Sequence, residues 1–306
     1  MKKFFTLTFL FSSLWVVAQD DLMKELEQGQ KTETNYVSQT FKGTRIINGQ
    51  SVETKGKGEL EFIFAHRFDK INTGSYNAFG FDGFAVVRLG LEYGITDRLG
   101  VSVGRTFSYS NKMVDAYVRY KIARQSTGAN SFPVTITGIG TLTYQAFPDA
   151  ANAVLNSMAL PSTSDRMAYI AELLIARKFS SKFSMQISPV FIHRNAVEKA
   201  IENNDDYAIA VGGRYKFTRS LSLIGEYYSR MNAHAGTPYY NSAGIGLDIE
   251  TGGHVFQLVF TNSLGLNPNN IVTTTGARNG SDGNLGNGDV HFGFNITRTF
   301  QVTRRK

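Results

Sequence analysis

None of the 306 residues is cysteine and only 6 are proline. The first absence excludes disulfides, thiolate metal sites, a cysteine nucleophile and a lipoprotein anchor. Beyond the first twenty residues there is also no apolar run near the roughly 18 residues that a spanning helix needs. With a mean hydropathy of −0.18, that excludes a helical membrane protein. Nor is the charge of one sign, since 32 Lys and Arg stand against 25 Asp and Glu, a formal +7. Lys2 and Lys3 account for two of the bases and Arg304, Arg305 and Lys306 for three more, with the remainder thinly spread. Without a basic run or a nucleic-acid motif, no nucleic-acid partner is expected. The excess fits contact with anionic lipid headgroups instead.

What the chain does contain is 30 Gly, 23 Phe, 14 Tyr and a pattern of period two. Residues 1–18 read as a secretory signal peptide: Lys2 and Lys3 form a basic start, Phe4 to Val17 an apolar stretch, and Ala18 a small residue at the cleavage site. Asp20 and Asp21 follow at once, which disfavours a retained anchor, so an exported protein is expected.

Between about Gly58 and Phe300, apolar and polar residues alternate. Leu99, Val101 and Val103 interleave with Gly100, Ser102 and Gly104, and Val114, Ala116 and Val118 with Asp115, Tyr117 and Arg119. Phe183, Met185 and Ile187 oppose Ser184, Gln186 and Ser188; Phe292, Phe294 and Ile296 oppose His291, Gly293 and Asn295. Successive side chains of a strand point to opposite faces, so each segment has one greasy and one polar face. A soluble sandwich would give the same alternation. Segments of roughly 9–12 residues match tilted strands crossing a bilayer, and are about twice the usual soluble length. Aromatics also gather at segment ends, among them Tyr93, Phe107, Tyr144, Phe179, Tyr215, Phe217 and Phe300, as an interfacial girdle requires.

The connections alternate in length. Ile95-Thr96-Asp97-Arg98, Phe179-Ser180-Ser181-Lys182 and Phe217-Thr218-Arg219-Ser220 repeat one turn chemistry, and Gly252-Gly253 makes a hairpin. Longer connections fall between them, at about 69–82, 147–166, 195–206, 231–239 and 263–288. Short turns on one side and long loops on the other characterise an outer-membrane barrel, with the turns and both termini periplasmic. The expected fold is therefore all-β: a transmembrane antiparallel up-and-down β-barrel of about twelve strands over residues 58–306, located in the outer membrane. The strands are expected at about 58–68, 83–94, 98–109, 112–123, 132–146, 167–179, 182–194, 206–217, 220–230, 240–250, 254–262 and 288–301.

Residues 19–57 stand outside this ladder, as an N-terminal periplasmic segment that forms a short helix over Asp20 to Gln30 or a plug under or inside the barrel. The loop 263–288, rich in Gly and Asn, reads as mobile. Pro189 falls inside a strand, where a bulge or local break is expected because it cannot donate to a ladder.

With the apolar parity assigned to lipid, the lumen is lined by Glu59, Glu61, Arg67, Arg88, Glu92, Asp115, Arg119, Lys121, Glu172, Lys178, Arg214, Lys216, Glu226, Arg230, Asp248 and Glu250. Eight acids face eight bases, which points to salt-bridge cross-links rather than a field selecting one ion; a narrow hydrophilic pore is the other reading. The five histidines, His66, His193, His234, His254 and His291, lack metal-ligand spacing, and no metal or cofactor is expected. A phospholipase-like, lipid-modifying barrel would need a lipid-facing serine beside His66 or His193. Gly100-Val101-Ser102-Val103-Gly104 matches the letters of a nucleophile elbow but lies within a strand with no helix following, so no catalytic residue is assigned.

Thr40-Phe41-Lys42-Gly43-Thr44-Arg45-Ile46-Ile47-Asn48-Gly49 resembles the opening of a family of Bacteroidetes β-barrel proteins known only as a domain of unknown function. Gly58-Glu59-Leu60-Glu61-Phe62, Ala65-His66-Arg67-Phe68 and Gly90-Leu91-Glu92-Tyr93-Gly94-Ile95-Thr96-Asp97-Arg98-Leu99 carry the same likeness, which spans roughly residues 30 to 301. It implies a fold, an envelope location and a lineage, and brings no substrate or catalytic residue. The expected partners are outer-membrane lipid, the barrel-insertion machinery and a periplasmic protein reached through residues 19–57. The leading functional expectation is a non-enzymatic barrel, either a narrow channel or a structural and docking component of the envelope. The lipid-modifying enzyme and the soluble periplasmic sandwich are the alternatives.

Overall fold

A computed structural model describes residues 33–108, 112–146, 162–234, 239–275 and 283–303. The leader at 1–18 and the helix expected over Asp20 to Gln30 lie outside the described residues.

Among those residues, twelve strands close into one barrel. They are β1 (Glu59–Lys70), β2 (Val86–Gly94), β3 (Leu99–Phe107), β4 (Met113–Ala123), β5 (Thr135–Gln145) and β6 (Met167–Lys178). The rest are β7 (Phe183–Arg194), β8 (Asp205–Lys216), β9 (Leu221–Arg230), β10 (Ser242–Thr251), β11 (His254–Thr261) and β12 (His291–Gln301). Each pairs antiparallel with its neighbour in sequence, and β12 closes on β1 with Gln301 opposite Glu59. Closure leaves no unpaired edge, the condition for a sheet to sit in hydrocarbon. No described helix is long and apolar enough to cross a membrane. The outer faces of the strands carry Leu91, Val103, Val118, Leu142, Leu173, Ile187, Val211, Ile245 and Leu258, all exposed.

The three repeated turns share one hydrogen-bond pattern. Thr96 Oγ1 accepts from the amides of Arg98 and Leu99, Ser180 Oγ from Lys182 and Phe183, and Thr218 Oγ1 from Ser220 and Leu221. A hydroxyl two and three residues before those amides substitutes for the backbone acceptor that a tight reversal cannot supply. In the fourth turn, Gly252 and Gly253 both have positive φ, 47° and 94°, which closes a two-residue hairpin with the twist of its strands. These turns mark one end of the barrel, called here the turn end. Around Pro189 the expectation of a bulge or local break is met by a break. β7 runs through without a bulge, with Pro189 opposite Ile209. The break is confined to the other side, where the β6 ladder passes from Glu172↔Val190 directly to Ile175↔Ile187. A residue without an amide proton interrupts one ladder and leaves register intact.

Two further segments occupy the interior. From the turn end, residues 41–53 enter as a hairpin: Arg45 bridges Gln50, the Ile46 amide donates to Gly49 O (3.0 Å) and the Ser51 amide to Thr44 O (2.9 Å). Phe41, Ile46, Ile47 and Val52 are buried in the same apolar cluster as the wall residues Leu174, Ile224 and Val259. Before it, Asn35–Tyr36 pairs with Ser126–Thr127 in the connection after β4, and Arg124 lies 4.4 Å over the Tyr36 ring. From the opposite end, part of the loop expected to be mobile folds inward as α1 (Pro268–Thr273). The correction has a physical cause. Asn267 caps the helix by accepting from the Asn270 amide, Pro268 suits its first turn, and Ile271 and Val272 bury against Ile170, Ile192 and Tyr228. Residues 276–282 lie outside the described residues.

Candidate functional site

The lumen is the only place where many polar side chains converge among the described residues, and the hairpin 41–53 is what they converge on. Its tip is held by Glu226 of β9. One carboxylate accepts from the amides of Ile47 (3.1 Å), Asn48 (2.8 Å) and Gly49 (3.1 and 3.3 Å). Charge-assisted bonds of this kind are about twice as strong as neutral ones. Arg67 of β1 grips the Asn48 side chain, with Nε and Nη2 donating to Oδ1 at 3.1 and 2.7 Å. Arg119 of β4 donates to Gln50 Oε1, Ser51 O and Glu53 O. The remaining backbone groups of the hairpin are met in turn: Gln257 donates to Ile46 O (2.9 Å), Asn295 to Ile47 O (2.8 Å), Gln186 to Gln50 O (2.8 Å) and Thr137 to Val52 O (2.9 Å). The flanks are pinned electrostatically, Lys55 to Glu61 (2.6 Å) and Lys42 to Glu250.

Shape matches chemistry. Gly212 and Gly244, on the inner faces of β8 and β10, leave room for the hairpin's aliphatic side chains. A methyl group added at Gly212 would lie 2.4 Å from Ile46 Cδ1, and one at Gly244 would lie 3.2 Å from Ile47 Cδ1. At the tip, Gly49 sits so close to Tyr228 that an added methyl would stand 1.9 Å from the phenol oxygen. Above the tip, Arg45 Nη1 reaches both Asn48 O (2.9 Å) and Leu266 O (3.4 Å), so the hairpin and the inward-folded loop meet inside the barrel.

Of the sixteen charged residues read from the sequence, Glu61, Arg67, Arg88, Glu92, Asp115, Arg119, Glu172, Arg214, Glu226 and Asp248 are buried. Arg88 pairs with Asp115 (2.5 Å) and Arg119 with Glu92 (3.1 Å), both in full burial, while Tyr117 donates to Glu92 at 2.7 Å. Both pairs join β2 to β4 across the inner face of β3, and losing one partner would leave the other charge uncompensated. Asp248 accepts from Gln257, and Arg214 donates to Ser222 and Gln39 O. Glu59, Lys121, Lys178, Lys216, Arg230 and Glu250 are only partly buried, at strand ends. Lys178 reaches Ser38 O (2.9 Å) and Glu59 the Gly56 amide (2.8 Å). Sequence reading missed Asp206 and Arg194. Asp206 is fully buried and joins Arg194 (3.0 Å) to Arg230 (2.5 Å) at the loop end. Parity offered the signal, since Arg194 continues the inward series Ser184, Gln186 and Ser188.

The inner wall is also not uniformly polar. Charged residues concentrate on β1, β2 and β4, whereas β6 to β9 face inward with Ala168, Ile170, Leu174, Val190, Ile192, Ala208, Ala210 and Ile224. On these strands the inward parity mixes apolar residues with polar ones such as Gln186 and Glu226, so alternation alone does not reveal the greasy stretch of the inner wall.

Among the described residues, neither His66 nor His193 has a serine opposite it in the neighbouring strands. His193 lies in register between Tyr169 and Asp205, and its Nδ1 is 2.6 Å from Asp205 Oδ1 at an exposed position. His66 lies between Phe294 and Val87 and stacks on the Phe294 ring at 5.3 Å. Ser102 is buried within β3. No group of three or more potential metal ligands occurs among the described residues.

Comparison with solved structures finds barrels of similar extent but low likeness. A KdgM porin is 9% identical, with a TM-score of 0.49 over 78% of this chain and 99% of its own. A NanC porin is 10% identical (TM-score 0.48; 79% and 98%), and an outer-membrane channel from Pseudomonas putida F1 is 12% identical (0.44; 81% and 98%). No curated protein sequence matches the chain. The model of one family does match, over residues 41–300, and so takes in both the lumen hairpin and all but the last residue of the barrel. The chain belongs to that family, the membrane-bound beta barrel domain DUF5777.

Proposed function

We propose that the protein is an outer-membrane channel held shut by its own N-terminal hairpin. The observation that carries this reading is the seat of the hairpin tip: three consecutive amides on the single carboxylate of Glu226, with Ile46 and Ile47 over wall glycines. The many polar bonds between the hairpin and the wall can each be replaced by water when the segment leaves, so the wall can release it. The outer-membrane location is supported by closure of the strands, the exposed apolar belt, short turns at one end and the leader read at residues 1–18. On this reading the turn end is periplasmic, and residues before 41 are the handle by which a periplasmic partner withdraws the hairpin. The wall itself carries no catalytic step.

The test is conductance in planar bilayers of the full chain and of a form lacking residues 33–57. The full chain is expected to be closed or to open rarely, and the shortened form to conduct steadily. Steady conductance by the full chain, or none by a shortened form that still inserts as a barrel, would overturn the proposal.

A further inference from the structure

The hairpin tip occupies its seat through three kinds of contact. Aliphatic side chains lie over Gly212 and Gly244, amide protons point at Glu226, and a side-chain carbonyl oxygen caps Arg67. Arg67 differs from its neighbours in the lumen. Arg88 and Arg119 are spoken for by Asp115 and Glu92, whereas the hydrogen bonds of Arg67 all run to neutral oxygens of His66, Phe294, Asn295, Ile47 and Asn48. Withdrawal of the hairpin removes two of those five partners and frees donors in the fork geometry that suits a carboxylate. It also frees the acceptor oxygens of Glu226 and exposes an apolar wall that includes Ile224, Val259 and Leu174.

A solute made only of hydroxyl groups would leave that wall wet and both charges poorly matched. A simple fatty acid would satisfy Arg67 and the wall but bring nothing to Glu226. We infer, resting on the channel reading above, that the hairpin tip is a stand-in for the solute, and that the open lumen takes short peptides with aliphatic side chains. The α-ammonium and amides of such a peptide face Glu226, its carboxylate faces Arg67, and its side chains take the glycine seats of Ile46 and Ile47.

The experiment uses the full chain carrying Gly49→Val, which dislodges the tip, in planar bilayers. The tripeptide Ile-Ile-Gly and, as a hydrophilic solute of similar length, maltotriose are titrated from the loop side. The peptide is expected to block conductance saturably and maltotriose to do so at least about tenfold less effectively. Adding Arg67→Gln should raise the half-blocking peptide concentration by about tenfold, the loss expected for a charge-assisted hydrogen bond. Equal block by both solutes, or a half-block moved less than about twofold by Arg67→Gln, would overturn the inference while leaving the channel reading intact. If the Gly49→Val form stays closed, the same titration is run on the form lacking residues 33–57. Closure of both forms would overturn the channel reading and this inference together.

Discussion

Gly49→Val is expected to open the full-length barrel. The methyl groups would have to share space with the Tyr228 phenol, which an added Cβ already approaches to 1.9 Å at the oxygen and 2.9 Å at Cζ. Tyr228 cannot retreat, because its ring is buried in one cluster with Ile170, Val190, Ile271 and Val272. Overpacking a filled interior costs about 1–3 kcal/mol. Here the strain can be relieved in one way, by retraction of the tip toward the turn end. An increase in open probability of at least about tenfold is expected, since about 1.4 kcal/mol corresponds to tenfold in an equilibrium. Gly43→Ala provides the control. It lies in the same segment, but an added methyl there meets nothing closer than 3.9 Å, so the channel should stay closed. Equal conductance in the two variants would contradict the account.

Glu226→Ala should act as strongly by a different route. It removes the acceptor for three adjacent amides at a position that excludes solvent, and each unsatisfied buried donor costs about 1–3 kcal/mol. The tip then gains more from hydration outside than from its seat. Glu226→Gln keeps a neutral acceptor and is expected to fall between the wild type and the alanine variant. Strand pairing near Glu226 runs through backbone groups, with Gly212 and Gly244 opposite it, so the barrel itself should persist. The readout is therefore paired: conductance rises in the order Glu, Gln, Ala, while the heat-modifiable shift of the folded barrel on gels is retained. A barrel that stays closed with alanine at position 226 would show that the carboxylate does not hold the hairpin.

The wall was legible in the sequence to within a few residues. The strand expected at 98–109 is Leu99–Phe107, and the one expected at 132–146 is Thr135–Gln145. The reason is local. Alternation sets which side chains turn inward, and a hydroxyl at Thr96, Ser180 or Thr218 fixes each short reversal within four residues. The lumen was less legible. Glu226 meets Gly49 across 177 residues of sequence, and Gln257 meets Ile46 across 211, so nothing local to either partner marks the contact. Thr40 to Gly49 has neither helical nor strand periodicity, because its short hairpin leaves most of its backbone to wall side chains. The helix Pro268–Thr273 was hidden for the same reason. Six residues with an Asn-Pro start look like a polar loop until Ile271 and Val272 find the inner wall.

The central claim, that residues 41–53 sit within the lumen, is tested most directly by cysteine labelling, since the native chain contributes no thiol. Ile47→Cys and Tyr36→Cys are introduced singly, and each folded protein is reacted in detergent with a bulky hydrophilic maleimide. Ile47 is 1% exposed and Tyr36 is 51% exposed. The account predicts rapid labelling at position 36 and labelling at least about a hundredfold slower at position 47, as expected where only rare opening admits the reagent. Adding Gly49→Val should bring position 47 close to the rate of position 36. Equal rates at the two positions in the otherwise native chain would place the hairpin outside the barrel and contradict the account.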